Sequence, residues 1–291
     1  MVARLVSICG MVALGAAALS SMPGCEAAER ARGADSLFAL FAPTDPSTAA
    51  RWALDPYDAD RRFEGTLLLA NSPFGGEDLY IRLYEEAVND TNPNVRAAGV
   101  RGLANHGRPS HVPLLVERLQ DESRGVRLEA ARGLQRLHNP VAVPALMRAG
   151  VASNTTEPDP EPDVRAEAVH ALGQYAEEDV LFALVNALAD ANLAVNHNAA
   201  ASLRTLTGQD FGYNRRAWTR WLTNTPTAER FAGRQRYIFP VFHREPRLIE
   251  LLPLVPPPPN EAASTPVGFP PITSDAFTNP PAQPSRPAGD R

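Results

Sequence analysis

The chain has 291 residues, a formal charge of −5 and a pI near 5.7, and all 28 of its basic residues are arginine. This balance argues against nucleic acid as a general partner, because phosphate binding needs a basic face, and without lysine there is no Schiff-base or P-loop lysine chemistry. Hydrophobic residues make up 44% and aromatics 7%, with abundant Ala and Leu, which favours closely packed helices over a β-sandwich.

Taken in chain order, residues 1–25 read as a targeting segment. Arg4 precedes an apolar run from Leu5 to Leu19, the length of a signal-peptide core and short for a spanning helix. The run leads to Met22-Pro23-Gly24-Cys25, which resembles a bacterial lipobox. Gly precedes Cys as that motif requires, while Met and Pro depart from its usual aliphatic and small residues. The resemblance implies lipidation at Cys25, export to the cell envelope facing the periplasm, and membrane contact only through that anchor. Ordinary cleavage nearby, leaving Cys25 as a lone thiol, and a retained anchor are the alternatives. Cys9 would leave with the signal, so no intramolecular disulfide is expected. Residues 26–45 read as a tether.

Asp45-Pro46 is suited to start a helix through Leu54. Behind it, Arg61 to Asn71 repeats Val95 to Asn105 at an offset of 34, sharing Gly65, Leu69, Ala70 and Asn71, so this end reads as an atypical capping repeat. Four clearer copies follow, opening at Asp90, Asp121, Asp159 and Asp190, with Asp five places before Val in each. Their starts lie 31, 38 and 31 residues apart, and the long interval holds the polar insert Val151 to Pro158. After each Val, apolar or small residues recur at i+4, i+5 and i+8, as in Val126, Ala130, Ala131 and Leu134, which marks one buried face of a helix. The other half of each unit is also helical, with Pro113 and Pro144 in first turns, where a missing N–H costs little.

This pattern resembles the HEAT-repeat family, including its bacterial lyase-like subgroup, from about Asp55 to Leu222. The resemblance implies an all-α solenoid of stacked helical hairpins. It also implies a structural ladder in which turn aspartates and arginines six residues later tie neighbouring repeats: Asp90 with Arg96, Asp121 with Arg127, and Asp159 with Arg165. At Asp190 the partner position holds Asn196, as expected of a last repeat with no neighbour to serve.

Beyond the repeats, Asn214 is placed to cap a helix carrying Trp218 and Trp221, read as a lid on the final hairpin. The solenoid with this cap spans 46–222. Residues 223–255, with Tyr237 to Phe242, read as an extended strap, and the Pro-rich 256–291 as a disordered tail.

No zinc-protease, nucleophile-elbow or P-loop motif and no Cys pair is present, so no catalytic residue, cofactor or metal site is assigned. No His is followed by Glu, which removes a di-iron reading, and His106, His111 and His138 read as surface residues of inter-helix turns. The expected activity is therefore that of a non-enzymatic scaffold for an unidentified protein partner. The resemblance to the lyase-like subgroup keeps one alternative, a protein acting on or carrying a tetrapyrrole or other cofactor. The binding surface is expected on the concave side, along the second helices, at Arg101, Asn105, Glu129, Arg132, Arg136, Glu167, His170 and Asn198. The competing reading is a solvated helix face, with Glu129–Arg132 and Glu167–His170 supporting their own helices.

Overall fold

The computed structural model describes residues 45–153, 157–239 and 264–271. The expected signal segment, Cys25 and most of the tether lie outside them, as do 240–263 and 272–291.

Among the described residues, five helical hairpins follow one another. They are α1 (Pro46–Ala53) with α2 (Ala59–Ala70), α3 (Asp78–Ala87) with α4 (Pro93–His106), α5 (Val112–Arg118) with α6 (Arg124–Arg136), α7 (Val143–Gly150) with α8 (Pro162–Leu172), and α9 (Glu178–Ala187) with α10 (Leu193–Thr207). A final helix, α11 (Arg215–Asn224), packs on α9. No strand occurs among the described residues, apart from one bridge of a single residue pair.

Each start has a local cause. Asp90, Asp121, Asp159 and Asp190 each accept a hydrogen bond from the backbone N–H two residues on, at 2.7 to 2.9 Å, which folds the turn before the helix. Asn92 and Asn192 then cap α4 and α10, and Pro93, Pro113, Pro144 and Pro162 occupy first-turn positions.

The second helices pack in unbroken succession, α2 on α4 on α6 on α8 on α10, and each first helix packs on its own partner. The repeated positions Val95, Val126, Val164 and Val195, with Leu103, Leu134, Leu172 and Leu203, are all buried, and Val126, Val195 and the four leucines belong to one core running from Ala49 to Leu222. No hairpin encloses its own apolar face, so each depends on the next. The first helices stand farther apart, and an open groove of about 720 Å³ separates α7 from α9. The insert after α7 is pinned at its ends, where the Asp159 N–H donates to the Ala149 carbonyl at 2.9 Å. The far end is sealed by Trp218, fully buried, whose Nε1 donates to the Gly212 carbonyl at 2.9 Å.

After α11 the chain turns back across the second helices. The Gln235 N–H donates to the Thr205 carbonyl at 2.7 Å, and an Arg234 Nη2 donates to the Gln174 carbonyl at 2.8 Å. The Phe239 N–H then meets the Ser264 carbonyl at 3.1 Å. Part of the segment read from composition as disordered, residues 264–271, is thus placed on the solenoid. Composition measures whether a segment can bury a core of its own. This one borrows a surface already folded.

Candidate functional site: the second-helix face

The arginines that follow the turn aspartates each use one guanidinium in two directions. Arg96 grips Asp121 of the next repeat through Nε and Nη2, both at 2.8 Å, while Nη1 donates to the Asp90 and Thr91 carbonyls of its own turn. Arg127 does the same to Asp159 at 2.6 and 3.2 Å, and Arg165 to Asp190 at 2.9 Å twice. A further rung lies ahead of these: Arg62 holds Asp90 at 2.7 and 3.0 Å and donates to the Asp55 carbonyl. Arg62 was not assigned from sequence, although the offset of 34 that aligns Arg61 with Val95 also aligns Arg62 with Arg96. Burial raises the carboxyl of Asp121, but the Arg96 hydrogen bond and its charge outweigh that and hold it below the ordinary 3.8; Asp90 and Asp190 are lowered likewise by Arg62 and Arg165. Asn196, where the series ends, donates to the Leu188 carbonyl of its own hairpin at 3.2 Å.

The eight side chains expected on the second-helix face are all half-buried, and the bonds they make mostly run between neighbouring helices. Arg101 donates to Asn71, and Asn105 to the Ala70 carbonyl, across α4 and α2. Arg136 reaches Asn105 at 2.7 Å, and Asn198 reaches the Ala166 carbonyl at 2.8 Å. The Glu129–Arg132 pair forms at 3.2 Å. Glu167 turns instead to the preceding helix, taking Gln135 at 2.6 Å and Arg132 at 3.5 Å, so it does not pair with His170. Stacking brings the helices close enough for these longer reaches.

His170 faces the returning strap. Its Nδ1 lies 2.7 Å from the Tyr237 hydroxyl, and the Tyr237 ring is buried against it. Burial, with a smaller push from His197, lowers His170 to about 4. His106 and His138 are half-buried rather than on the surface. His106 Nε2 lies 3.0 Å from the Ala70 carbonyl, and His138 stacks on Tyr175 with centroids 4.9 Å apart. Burial lowers both. His111 Nδ1 accepts the Arg108 N–H at 2.8 Å. Among the described residues no group of three or more His, Cys, Asp or Glu is arranged to hold a metal, and no helix is long and apolar enough to cross a membrane.

Residues 82–157 and 151–213 match the family model described as HEAT repeats. Among solved structures, the chain is similar to YibA of Escherichia coli, at 23% identity and a TM-score of 0.44, covering 61% of this chain and 62% of that one. It thus spans less than two thirds of YibA. It is also similar to the complex of CpcE and CpcF of phycocyanin lyase from Nostoc, at 21% identity and TM-score 0.48, covering 62% and 69%. A designed armadillo-repeat protein aligns at 18% identity and TM-score 0.42, covering 63% and 94%. No curated protein matches the chain.

Proposed function

We propose, from the match of residues 82–213 to HEAT repeats, that this chain is a non-enzymatic HEAT-repeat scaffold holding a protein partner at the bacterial cell envelope. The observation that carries the reading is the unbroken row of second helices, clamped from repeat to repeat by arginine–aspartate rungs, which presents one polar face over successive hairpins. A surface fixed in this way is pre-organised, so a partner meets groups whose ordering is already complete. Arg101, Asn105, Glu129, Arg132 and Asn198 are its docking groups, while the strap crosses the same row at Arg136 and His170. Export and a lipid tether at Cys25 are supported by the apolar run and lipobox-like residues of the sequence.

The experiment is affinity capture from envelope extract with the full chain and its Arg101→Glu variant. Reversing that charge is expected to remove the proteins retained by the parent while the helical circular dichroism stays the same. Identical retained proteins at identical yield place the docking surface elsewhere. Labelled palmitate incorporated by the parent and lost in Cys25→Ala is the expected result for the tether, and no incorporation by the parent rejects it.

A further inference from the structure

Where α6 ends, the chain leaves in an extended conformation, with Leu137 at φ −116° and ψ 118°. That exit presents the Arg136 carbonyl and the His138 N–H to a neighbouring strand, and residues 264–271 take both. The Val267 N–H donates to the Arg136 carbonyl at 2.8 Å, and the His138 N–H donates to the Val267 carbonyl at 2.9 Å, as a parallel bridge between Leu137 and Val267.

Three side-chain positions fit the seat. Pro266 is buried. Gly268 has φ +82°, and a Cβ there would stand 2.5 Å from Pro109 Cγ and 3.2 Å from the His138 carbonyl, so no other residue enters without displacing that wall. The Phe269 N–H closes the turn on the Pro266 carbonyl at 3.1 Å, which sends its ring edge-on to His138 with centroids 5.4 Å apart. The Arg234 guanidinium lies 5.2 Å from the same ring, and His138 is backed by Tyr175. Val267 itself is exposed, so its side chain contributes little to the fit. The seat thus reads a short pattern, Pro-x-Gly-aromatic, through backbone pairing plus one steric and one aromatic filter. Strand addition of this kind depends on the ligand backbone and transfers readily to another chain.

We propose that this slot is a recognition site for extended protein segments of the pattern Pro-x-Gly-aromatic. Pro266 to Phe269 fills it in cis as an internal competitor, and a partner protein carrying the same pattern enters by displacing it. The proposal rests on the scaffold reading and names the chemistry of a partner for one end of that face.

The test uses the full-length chain, its Gly268→Val variant, and a fluorescent synthetic peptide with the sequence of Ser264 to Pro271. Valine at this φ and against Pro109 unseats the internal segment without touching the solenoid. The variant is expected to bind the peptide at least tenfold more tightly than the parent chain, whose slot is taken. The same peptide with valine in place of its glycine is expected not to bind. Amide exchange at His138 is expected to rise in the variant and fall again on adding the peptide. A folded variant that binds the peptide no better than the parent overturns the proposal. So does a parent chain that forms dimers broken by the peptide, because the occupant is then the tail of a second copy. Failure here with the Arg101→Glu effect intact removes only the slot; a bound peptide with no Arg101 effect removes only the wider face.

Discussion

Arg127 and its counterparts decide whether the hairpins behave as one body. The Arg127–Asp159 pair spans two repeats and is largely shielded, with side chains 13% and 5% exposed. Removing the arginine alone leaves a buried carboxylate without its partner and two turn carbonyls without a donor. Arg127→Ala is therefore expected to cost about 3–5 kcal/mol in a urea titration. Arg127→Lys keeps the charge but loses the two-pronged grip, and is expected to fall about midway. Equal midpoints for parent and Arg127→Ala contradict a stabilising rung. The lowered carboxyls of Asp90, Asp121 and Asp190 add a pH dependence: their contribution is complete above the ordinary 3.8 and is lost as pH falls through their lower folded values. The six-residue spacing from Asp to Arg is legible in the sequence because both lie in one turn. Arg62 was hidden because Asp55 stands seven residues before it, which breaks the spacing while leaving the rung intact.

At the level of helices, the crossing of first on second sets which small residues are replaceable. Alanine occupies positions 130, 168 and 199, so the repeat pattern alone suggests alanine at Gly99 as well. The α3–α4 crossing is closer than that: a Cβ on Gly99 would stand 2.8 Å from the Val88 nitrogen and 2.9 Å from Ala87. Gly99→Ala is expected to destabilise by about 1–3 kcal/mol, beyond the roughly 1 kcal/mol it gains in helix propensity. Gly125→Ala is the control, because its nearest atom, Ser123 Oγ, is 3.7 Å away. There the urea midpoint is expected to hold or rise, and a matching loss in both variants rules out the crossing as the cause. Helices were legible because each repeat writes its buried face at the same offsets, from Val95 to Leu203. The docking of Val267 to Phe269 was not, since their seat is built by Pro109, Arg136, His138 and Arg234, which come together only after folding. For the same reason the expected face could be placed on the second helices, while the turn of Glu167 toward Gln135 could not be foreseen.

Across the molecule, solenoid and strap separate by pH, because the groups joining them titrate in different ranges. His170 is held near 4 under Tyr237, with His197 as the like charge opposing its protonation and Glu167 close enough to act on Tyr237. His138 is lowered chiefly by burial, against an upward pull from its Gln174 hydrogen bond, and Arg234 of the strap adds a smaller downward push. When the strap lifts, His170 loses part of that burial, moves back toward its ordinary 6.5 and takes up a proton that the docked state refuses. Docking is thus undiminished above about pH 6.5 and weakens as pH falls toward 4, for His170 by up to about 3 kcal/mol. Asp90, Asp121 and Asp190 are held below 3.8 by their arginines, so those rungs outlast the His170 contact as pH falls. Amide exchange, corrected for its intrinsic pH dependence, is therefore expected to show Gln235 losing protection between pH 6.5 and 4 while the interior amides of α6 and α8 keep theirs. His170→Gln, which cannot take up a proton, is expected to flatten the Gln235 response. Strap and solenoid amides opening together, or an unchanged response in His170→Gln, contradict the assignment of this contact as the pH-sensitive joint.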